Sequence, residues 1–254
     1  MTFDVSGDAY DTFMGRYARV LAPAFADFSG IRAGLTVLDV GCGSGILTQE
    51  LAHRVGEANV GAADPSPLVE ACAARLPKAD VRAAPAEALP WPDASFDAAL
   101  AQLVLHFLED PGAGVAEMRR VVRSGGVVGA CSWHFPEMDL LRTFWDAARA
   151  VAPGAPGERL QYETLDELAE LGREAGLERV ETAALDVSSH YESFDELWDS
   201  FQLGVGPAGQ FCASLSPETR EAVRDEYRRR LGDPPGSFSL AAQAWAVRGT
   251  VPSA

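Results

Sequence analysis

Residues 36–48 constrain the fold more than any other stretch of the chain. An apolar run that carries Asp39 near its end is followed by three closely spaced glycines, Gly41, Gly43 and Gly45. This pattern is typical of a buried parallel strand that breaks into a ligand-binding loop, because glycine permits positive φ and a close approach of the backbone to a ligand. The stretch therefore predicts an open α/β sheet with a binding crevice at the carboxyl ends of its strands.

The glycine spacing fits the dinucleotide fingerprint G-x-G-x-x-G only in part. Gly41 and Gly43 match, but Ile46 occupies the last glycine position. Ser44 is predicted to cap the helix that follows. A second apolar run ends in Asp64 about twenty residues downstream, where a carboxylate can accept both hydroxyls of a ribose. The two strand ends together predict a site for a nucleoside-containing ligand.

Five segments, taken in order, resemble the motifs of the class I S-adenosylmethionine-dependent methyltransferases. They are residues 37–48, 64–66, 86–93, 95–98 and 120–126. The resemblance extends over residues 8–133. It implies a doubly wound, Rossmann-like α/β sheet of seven strands whose last strand is antiparallel. It also implies S-adenosyl-L-methionine as the cofactor, with the methionine end over the glycine turn and the ribose on Asp64.

The resemblance also implies a set of cofactor-binding residues. They are Asp39, Gly41, Cys42, Gly43, Gly45, Asp64, Pro65, Ala86, Glu87, Gln102 and Arg16. Gln102 is expected across the crevice from Gly41, and an N-terminal helix in the family often closes over the cofactor, which suggests Tyr10 or Arg16 at the methionine end.

The adenine contact departs from the pattern of the family. Relatives commonly carry an aspartate at the position of Pro85, where it accepts from the adenine amino group. Proline has no side-chain acceptor, so the base is predicted to meet the Ala86 backbone N–H, with help from Glu87.

Charge and composition exclude several classes of partner. A formal charge of −16 over 254 residues argues against a nucleic acid or an anionic membrane as partner. The four cysteines form no C-x-x-C pair, so neither a metal site nor a disulfide framework is predicted. No signal peptide and no apolar run of membrane-spanning length is present, which predicts a cytoplasmic protein. The oligomeric state stays open.

The chain is predicted to form a single methyltransferase domain over residues 1–254. Residues 30–133 are expected to be the cofactor-binding half, and residues 134–165 and 190–235 to cover the acceptor site. The second cover segment carries an aromatic stripe that includes Phe194, Trp198 and Phe201. Such a stripe can cover a hydrophobic acceptor or pack on the core, and both alternatives stay open at this stage.

Two histidines are candidate general bases. Methyl transfer from a sulfonium requires chiefly that acceptor and methyl group are aligned, and a base is needed only when the acceptor must lose a proton. His106 follows the strand at residues 96–103, and His134 follows the strand at residues 127–133. Each can equally be a packing or capping residue.

The sequence thus predicts methyl transfer to a small molecule, apolar or aromatic, with an oxygen, carbon or nitrogen acceptor left open. One alternative is a regulatory protein that binds adenosylmethionine without turnover. A further alternative is an NAD-type oxidoreductase, which Ile46 and the later motifs disfavour.

Overall fold

The structure, a computed structural model, describes residues 11–158, 162 and 164–253. Its strands form a seven-stranded sheet in the order β3-β2-β1-β4-β5-β7-β6. The strands are β1 (Val37–Val40), β2 (Val60–Ala63), β3 (Asp80–Arg82), β4 (Phe96–Gln102), β5 (Val122–His134), β6 (Glu178–Tyr191) and β7 (Phe238–Thr250).

Strand directions place one antiparallel strand within an otherwise parallel arrangement. Strands β1 to β5 are parallel to their neighbours, whereas β7 runs antiparallel to both β5 and β6. The doubly wound sheet with an antiparallel last strand is therefore confirmed. Strands β6 and β7 pair over Glu178–Tyr191, with a shift of register between Glu178 and Glu181.

Helices cover both faces of the sheet. The α-helices of the described residues are α1 (Gly15–Phe28), α2 (Ile46–Val55), α3 (Leu68–Arg75), α4 (Pro111–Val121), α5 (Asp139–Val151), α6 (Leu165–Glu174), α7 (Phe194–Gln202), α8 (Gly206–Ser214) and α9 (Pro217–Arg230). Helices α1, α2, α5, α7 and α9 contribute to one hydrophobic core, and α4 and α6 to the core on the opposite face.

The central strand β1 is buried along its whole length, as a parallel strand covered on both faces must be. Its neighbour β4 is equally apolar, and its register with β1 begins at Val37 opposite Ala98. Because both strands end at the same edge, the loops that follow them lie side by side. This edge is where the predicted crevice should be found.

The glycine pair of the last motif lies inside a strand. Strand β5 begins at Val122 and contains residues 124–126. The register with β4 shifts there, from Phe96 opposite Val122 to Ala98 opposite Val127. Gly125 has φ +78° at this irregularity, so the glycine pair makes a bulge inside β5.

Candidate active site

A cavity of about 810 Å³ opens at the carboxyl ends of β1, β2 and β4. Ten of the eleven residues predicted to bind the cofactor are close to it, and nine of them form part of its wall. Those nine are Asp39, Gly41, Cys42, Gly43, Asp64, Pro65, Ala86, Glu87 and Gln102. Gly45, the tenth, lies behind the wall as the residue before α2.

The glycine turn is held in a conformation that side chains would disrupt. Gly41 has φ +74°, and a Cβ atom there would lie 2.4 Å from a methyl carbon of Val104. Gly45 has φ +92°, and a Cβ atom there would lie 2.9 Å from Cys72 Sγ. The carbonyl oxygen of Ala63 accepts from the N–H groups of Gly41 and Cys42 at 2.7 and 3.0 Å. The turn is therefore fastened to the tip of β2.

Ser44 does not cap the helix that follows the turn, contrary to the sequence prediction. Gly45 is the N-cap of α2 and no side chain caps the helix. The Ser44 hydroxyl instead donates to Asp11 Oδ1 at 2.8 Å. Arg75 contacts the same pair, because its guanidinium donates to Ser44 O and to Asp11 Oδ2. The segment before α1 is thus attached to the rim of the glycine turn.

Asp64 joins the two strand tips. Its Oδ2 accepts from the Gly43 N–H at 2.9 Å, and its Oδ1 accepts from the N–H and the hydroxyl of Ser66. Each carboxylate oxygen has two lone-pair sites, so one site, on Oδ2, remains for a ligand hydroxyl. The structure therefore brings the two predicted motifs into direct contact.

Asp39 is almost fully buried at the end of β1, with 1% of its surface exposed. Thr48 donates its hydroxyl proton to Asp39 Oδ2 at 2.6 Å. Burial raises the pKa of the Asp39 carboxyl to about 7, and the neighbouring charge of Asp64 acts in the same direction. The hydrogen bond from Thr48 opposes this shift because it stabilises the ionised form.

The far end of the cavity is formed by residues 85–87 and by the loop before α4. The Glu87 carboxylate accepts from the backbone N–H groups of Glu109 and Asp110 at 3.1 and 3.4 Å. Asp110 caps α4 by accepting from the Ala113 N–H. Asp110 and Ala113 also line the cavity and were not predicted from the sequence. The signal available there was Asp110 before Pro111, which is a typical helix start.

Gln102 occupies the opposite end, where α1 approaches the sheet. Its side-chain amide donates to the carbonyl oxygen of Ala18 at 3.2 Å, and Ala18 also lines the cavity. The next residue, Leu103, has φ +62°, which is uncommon for a residue with a branched side chain. Its N–H donates to Cys131 O at 2.9 Å, so the corner is fixed to β5.

Arg16 does not lie at the cavity, which corrects the sequence prediction for this residue. Its guanidinium donates to Glu196 and to the carbonyl oxygen of His190, and it lies 4.2 Å from the ring centre of Tyr191. Helix α1 directs the Arg16 side chain toward β6 and α7, whereas Ala18 on the same helix faces the cavity. Tyr10, the other candidate, lies outside the described residues.

Neither candidate base forms part of the cavity wall. His106 is partly buried against Phe107, with ring centres 3.9 Å apart, and burial lowers the pKa of its imidazole to about 4. His134 stacks on Trp245 at 3.9 Å, and its Nδ1 forms a hydrogen bond with Gln243 Oε1 at 3.0 Å. Both contacts are those of packing residues, and a catalytic role for either histidine stays a prediction.

The charged side chains that line the cavity all have one sign. Five carboxylate side chains line it, and none of its lining residues within the described ranges is a lysine, arginine or histidine. The carboxylates belong to Asp39, Asp64, Glu87, Glu109 and Asp110. A cavity of this kind favours a cationic ligand and disfavours a phosphate-bearing one.

Comparison with known proteins agrees with this geometry. A family model described as a methyltransferase domain matches residues 38–130. An uncharacterised protein of Mycobacterium tuberculosis H37Rv is 32% identical over 223 residues, which are 81% of this chain and 80% of the relative. The chain belongs to the class I S-adenosylmethionine-dependent methyltransferases.

Two relatives with named activities match over a shorter stretch. A malonyl-[acyl-carrier protein] O-methyltransferase of Hahella chejuensis is 34% identical over 128 residues, which are 49% of this chain and 46% of that enzyme. A ubiquinone/menaquinone biosynthesis C-methyltransferase of Shewanella sp. ANA-3 is 32% identical over 128 residues, which are 47% of this chain and 51% of that enzyme. The chain thus spans about half the length of each enzyme.

The fold is shared with solved structures. A protein of Anaeromyxobacter dehalogenans, assigned as a type II methyltransferase, superposes with a TM-score of 0.68 at 24% identity. The superposition covers 94% of this chain and 98% of that protein. None of the helices within the described ranges has both the length and the apolar composition needed to cross a membrane.

Proposed function

We propose that this chain binds S-adenosylmethionine in the 810 Å³ cavity and transfers its methyl group to a small apolar or aromatic molecule. The observation that carries the proposal is the cavity wall, in which a glycine turn and two acidic strand ends meet without any basic side chain. A pyrophosphate-bearing dinucleotide would meet five carboxylates there, whereas an adenosyl sulfonium brings positive charge to them.

The residues present fit this cofactor. The N-terminus of α2 has no side-chain cap, so its first N–H groups are available to the methionine carboxylate. Asp64 is fixed at the end of β2 and would hold a ribose hydroxyl. The Ala86 N–H, with Glu87 beside it, would form the hydrogen bond to the adenine. Pro85 occupies the position of the aspartate that commonly makes this contact in relatives. Any side chain at Gly41 would intrude on Val104 at the same wall.

S-Adenosylmethionine, when bound, supplies a methyl group already activated on a sulfonium, so little chemistry is left to the protein. The chain has to align an acceptor with that methyl group and keep water away from both. Alignment of this kind contributes on the order of 7 to 11 kcal/mol in favourable cases. Leu103, Val104 and Phe107 supply apolar wall for this purpose.

The acceptor is proposed to be a small molecule for two reasons. The chain carries a formal charge of −16, and the cavity has no basic wall residue to neutralise a nucleic acid. With neither histidine at the wall, an acceptor that needs no protein base, such as a thiol, fits the geometry best, and the acidic wall disfavours an anionic carboxylate acceptor. The named relatives include a malonyl-[acyl-carrier protein] O-methyltransferase and a ubiquinone/menaquinone biosynthesis C-methyltransferase, so they leave the acceptor atom open.

Calorimetric titration tests the cofactor assignment. The protein should bind S-adenosylmethionine and S-adenosylhomocysteine, and NAD should give no heat of binding. Asp64→Ala should lower the affinity about tenfold or more, because each charge-assisted hydrogen bond is worth roughly 1.5 to 3 kcal/mol. An unchanged affinity in a folded Asp64→Ala variant would show that the ribose lies elsewhere.

Product release tests the reaction. The purified protein should form S-adenosylhomocysteine from S-adenosylmethionine when incubated with panels of small carboxylates, thiols and phenols. Turnover with nucleic acid and none with any small acceptor would refute the acceptor class. Binding without turnover across all panels would favour the regulatory alternative.

A further inference from the structure

Asp39 is a buried carboxylate without a positively charged neighbour in the described part of the chain. Its titratable neighbours are Asp64 and the thiols of Cys42, Cys72 and Cys131, all of which are neutral or negative. Its hydrogen-bond donor is the neutral hydroxyl of Thr48. This carboxylate is therefore surrounded by acidic and uncharged groups alone.

Such an arrangement is unusual within a protein. Buried carboxylates are almost always paired with a cation, because burial of an unpaired charge is strongly unfavourable. The described chain supplies no cation at Asp39, and the cavity beside it is lined by four further carboxylates. The missing positive charge can therefore come only from a ligand or from a proton on Asp39 itself.

The two ligands of the proposed reaction differ in this charge. In the transfer, an electron pair of the acceptor forms the new bond to the methyl carbon, and the electron pair of the broken carbon–sulfur bond stays on sulfur. Any proton that the acceptor loses passes to solvent. The sulfonium of S-adenosylmethionine thereby becomes the uncharged thioether of S-adenosylhomocysteine. Apart from the transferred methyl group, the rest of the two molecules is identical, including the α-ammonium and carboxylate of the methionine end. The sulfonium is therefore the one difference in charge between them.

We propose that Asp39 makes this cavity distinguish S-adenosylmethionine from S-adenosylhomocysteine by charge, so that the product is held more weakly than the substrate. The inference rests on the proposed function, because it requires that both molecules occupy this cavity. Asp39 need not touch the ligand. It acts through space, because charge interactions weaken slowly with distance in a poorly solvated site.

The arrangement also links cofactor binding to a proton. The raised pKa of Asp39 means that its carboxyl is largely protonated below about pH 7 in the ligand-free protein. The α-ammonium that both ligands carry and the sulfonium that S-adenosylmethionine alone carries each favour the ionised form. Affinity for S-adenosylmethionine should therefore fall more steeply than affinity for S-adenosylhomocysteine as the pH is lowered through this range.

Calorimetric titration of the wild-type chain with both ligands tests the inference first. At about pH 8, S-adenosylmethionine should bind about tenfold more tightly than S-adenosylhomocysteine, which corresponds to a coupling of one pKa unit. At about pH 6, its affinity should be about fivefold lower, which is the protonation linkage expected for that coupling. An analogue with a protonated amine in place of the sulfonium should behave as S-adenosylmethionine does.

Variants assign the effect to Asp39. Asp39→Asn keeps an oxygen that can accept from Thr48. It should lower the affinity for S-adenosylmethionine about tenfold more than that for S-adenosylhomocysteine at pH 8. Asp64→Asn is the comparison variant: it should weaken both ligands through the ribose that they share, and it should lower the pKa of Asp39, because the Asp64 charge raises that pKa. Cys72→Ala should leave the pH dependence unchanged, which excludes the neighbouring thiol as its source.

The outcomes separate the inference from the proposed function. Equal affinity of the wild-type chain for both ligands at pH 8 overturns the inference alone, and so does an Asp39→Asn variant that retains the difference. Loss of both ligands in a folded Asp39→Asn variant assigns Asp39 a structural role and overturns it too. If the wild-type chain binds neither ligand, the proposed function fails as well. The wild-type titrations decide the matter even if the variant does not fold.

Discussion

The cofactor-binding half and the aromatic second half of the chain differ in how their interiors are packed. Residues 30–133 leave a cavity between strand ends, bounded by glycines and carboxylates. In the second half, Phe144 stacks on Phe201 with ring centres 4.4 Å apart, and Tyr227 lies within 6.0 Å of both rings. Charge and open space characterise the first region, and close aromatic packing characterises the second.

The difference shows where an acceptor can be held. The aromatic stripe of α7 was left open between an acceptor cover and a core face, and the structure packs Phe201 and Trp198 into the core. The Tyr227 hydroxyl donates to the carbonyl oxygen of Leu140 at 3.0 Å, so this packing also has a fixed polar contact. These aromatics stabilise the fold, and the apolar wall beside the cofactor comes from Leu103, Val104 and Phe107.

Phe201→Ala should give the largest effect on stability. The side chain is fully buried and contacts the rings of Phe13, Phe144 and Tyr227, so its removal should cost about 3 to 5 kcal/mol of the free energy of unfolding. Denaturant titration measures this loss. Affinity for S-adenosylmethionine in the folded variant should change less than about twofold, because distant sites without shared partners act independently. A tenfold loss would mean that the two regions are coupled.

Asp39→Asn should change the pH dependence of stability in the ligand-free protein. The pKa of this carboxyl rises from 3.8 to about 7 on folding, so the folded state holds more protons between about pH 4 and pH 7. The wild-type chain should therefore lose stability as the pH rises through that window, by up to roughly 4 kcal/mol relative to the variant.

Chemical denaturation of both proteins at about pH 5 and pH 8 measures this difference. Saturating S-adenosylmethionine should reduce it at pH 8, because the ligand supplies the missing positive charge. A constant difference between the two proteins at every pH would show that Asp39 does not titrate in this range.

Gly41→Ala should impair the cavity and leave the aromatic region intact. The new Cβ would overlap Val104 and would hold positive φ, a conformation that costs about 1 to 2 kcal/mol for an L-residue. Affinity for S-adenosylmethionine should fall at least about tenfold. Val104→Ala added to Gly41→Ala should recover part of that loss by removing the overlap. If the double variant recovers no affinity, the whole loss comes from the positive φ that the alanine has to adopt.

Asp11→Ala should give the smallest effect. Asp11 accepts from Ser44, Arg19 and Arg75, and ion pairs of this partly exposed kind are worth about 0 to 1 kcal/mol. Cofactor affinity should drop about two- to fivefold, because the rim of the glycine turn loses its attachment. Asp27→Ala, which removes an exposed partner of Arg54 far from the cavity, is the matched control and should leave affinity unchanged.

Local sequence patterns predicted the fold and much of the cavity wall. Two local patterns mark strand ends: the run through Asp39 into the glycines, and Asp64 after the next strand. The carboxyl ends of the strands in a parallel sheet meet at one edge. That geometry follows from the fold class alone. It accounts for the contact between Gly43 and Asp64, which are 21 residues apart in sequence and joined at 2.9 Å.

Residues whose roles depend on side-chain direction were predicted less well. Arg16 and Ala18 are two positions apart on α1, but only Ala18 faces the cavity, because Glu196 on a distant helix binds the guanidinium. Ser44 was expected to cap α2, but Gly45 is the N-cap residue, and the Ser44 hydroxyl donates to Asp11 instead. His134 was expected just after the fifth strand but is the last residue of β5, where Trp245 and Gln243 on β7 hold its ring.

The sequence by itself determined the two acidic strand ends, because apolar periodicity and glycine spacing are local properties. It also indicated the methyltransferase family and its doubly wound sheet, through the resemblance of five motifs in order. Only the tertiary structure decided which side chains face the cavity and which aromatics close on one another. Those choices depend on partners more than a hundred residues away, such as Glu196 for Arg16 and Gln243 for His134. They follow from packing and charge pairing in three dimensions.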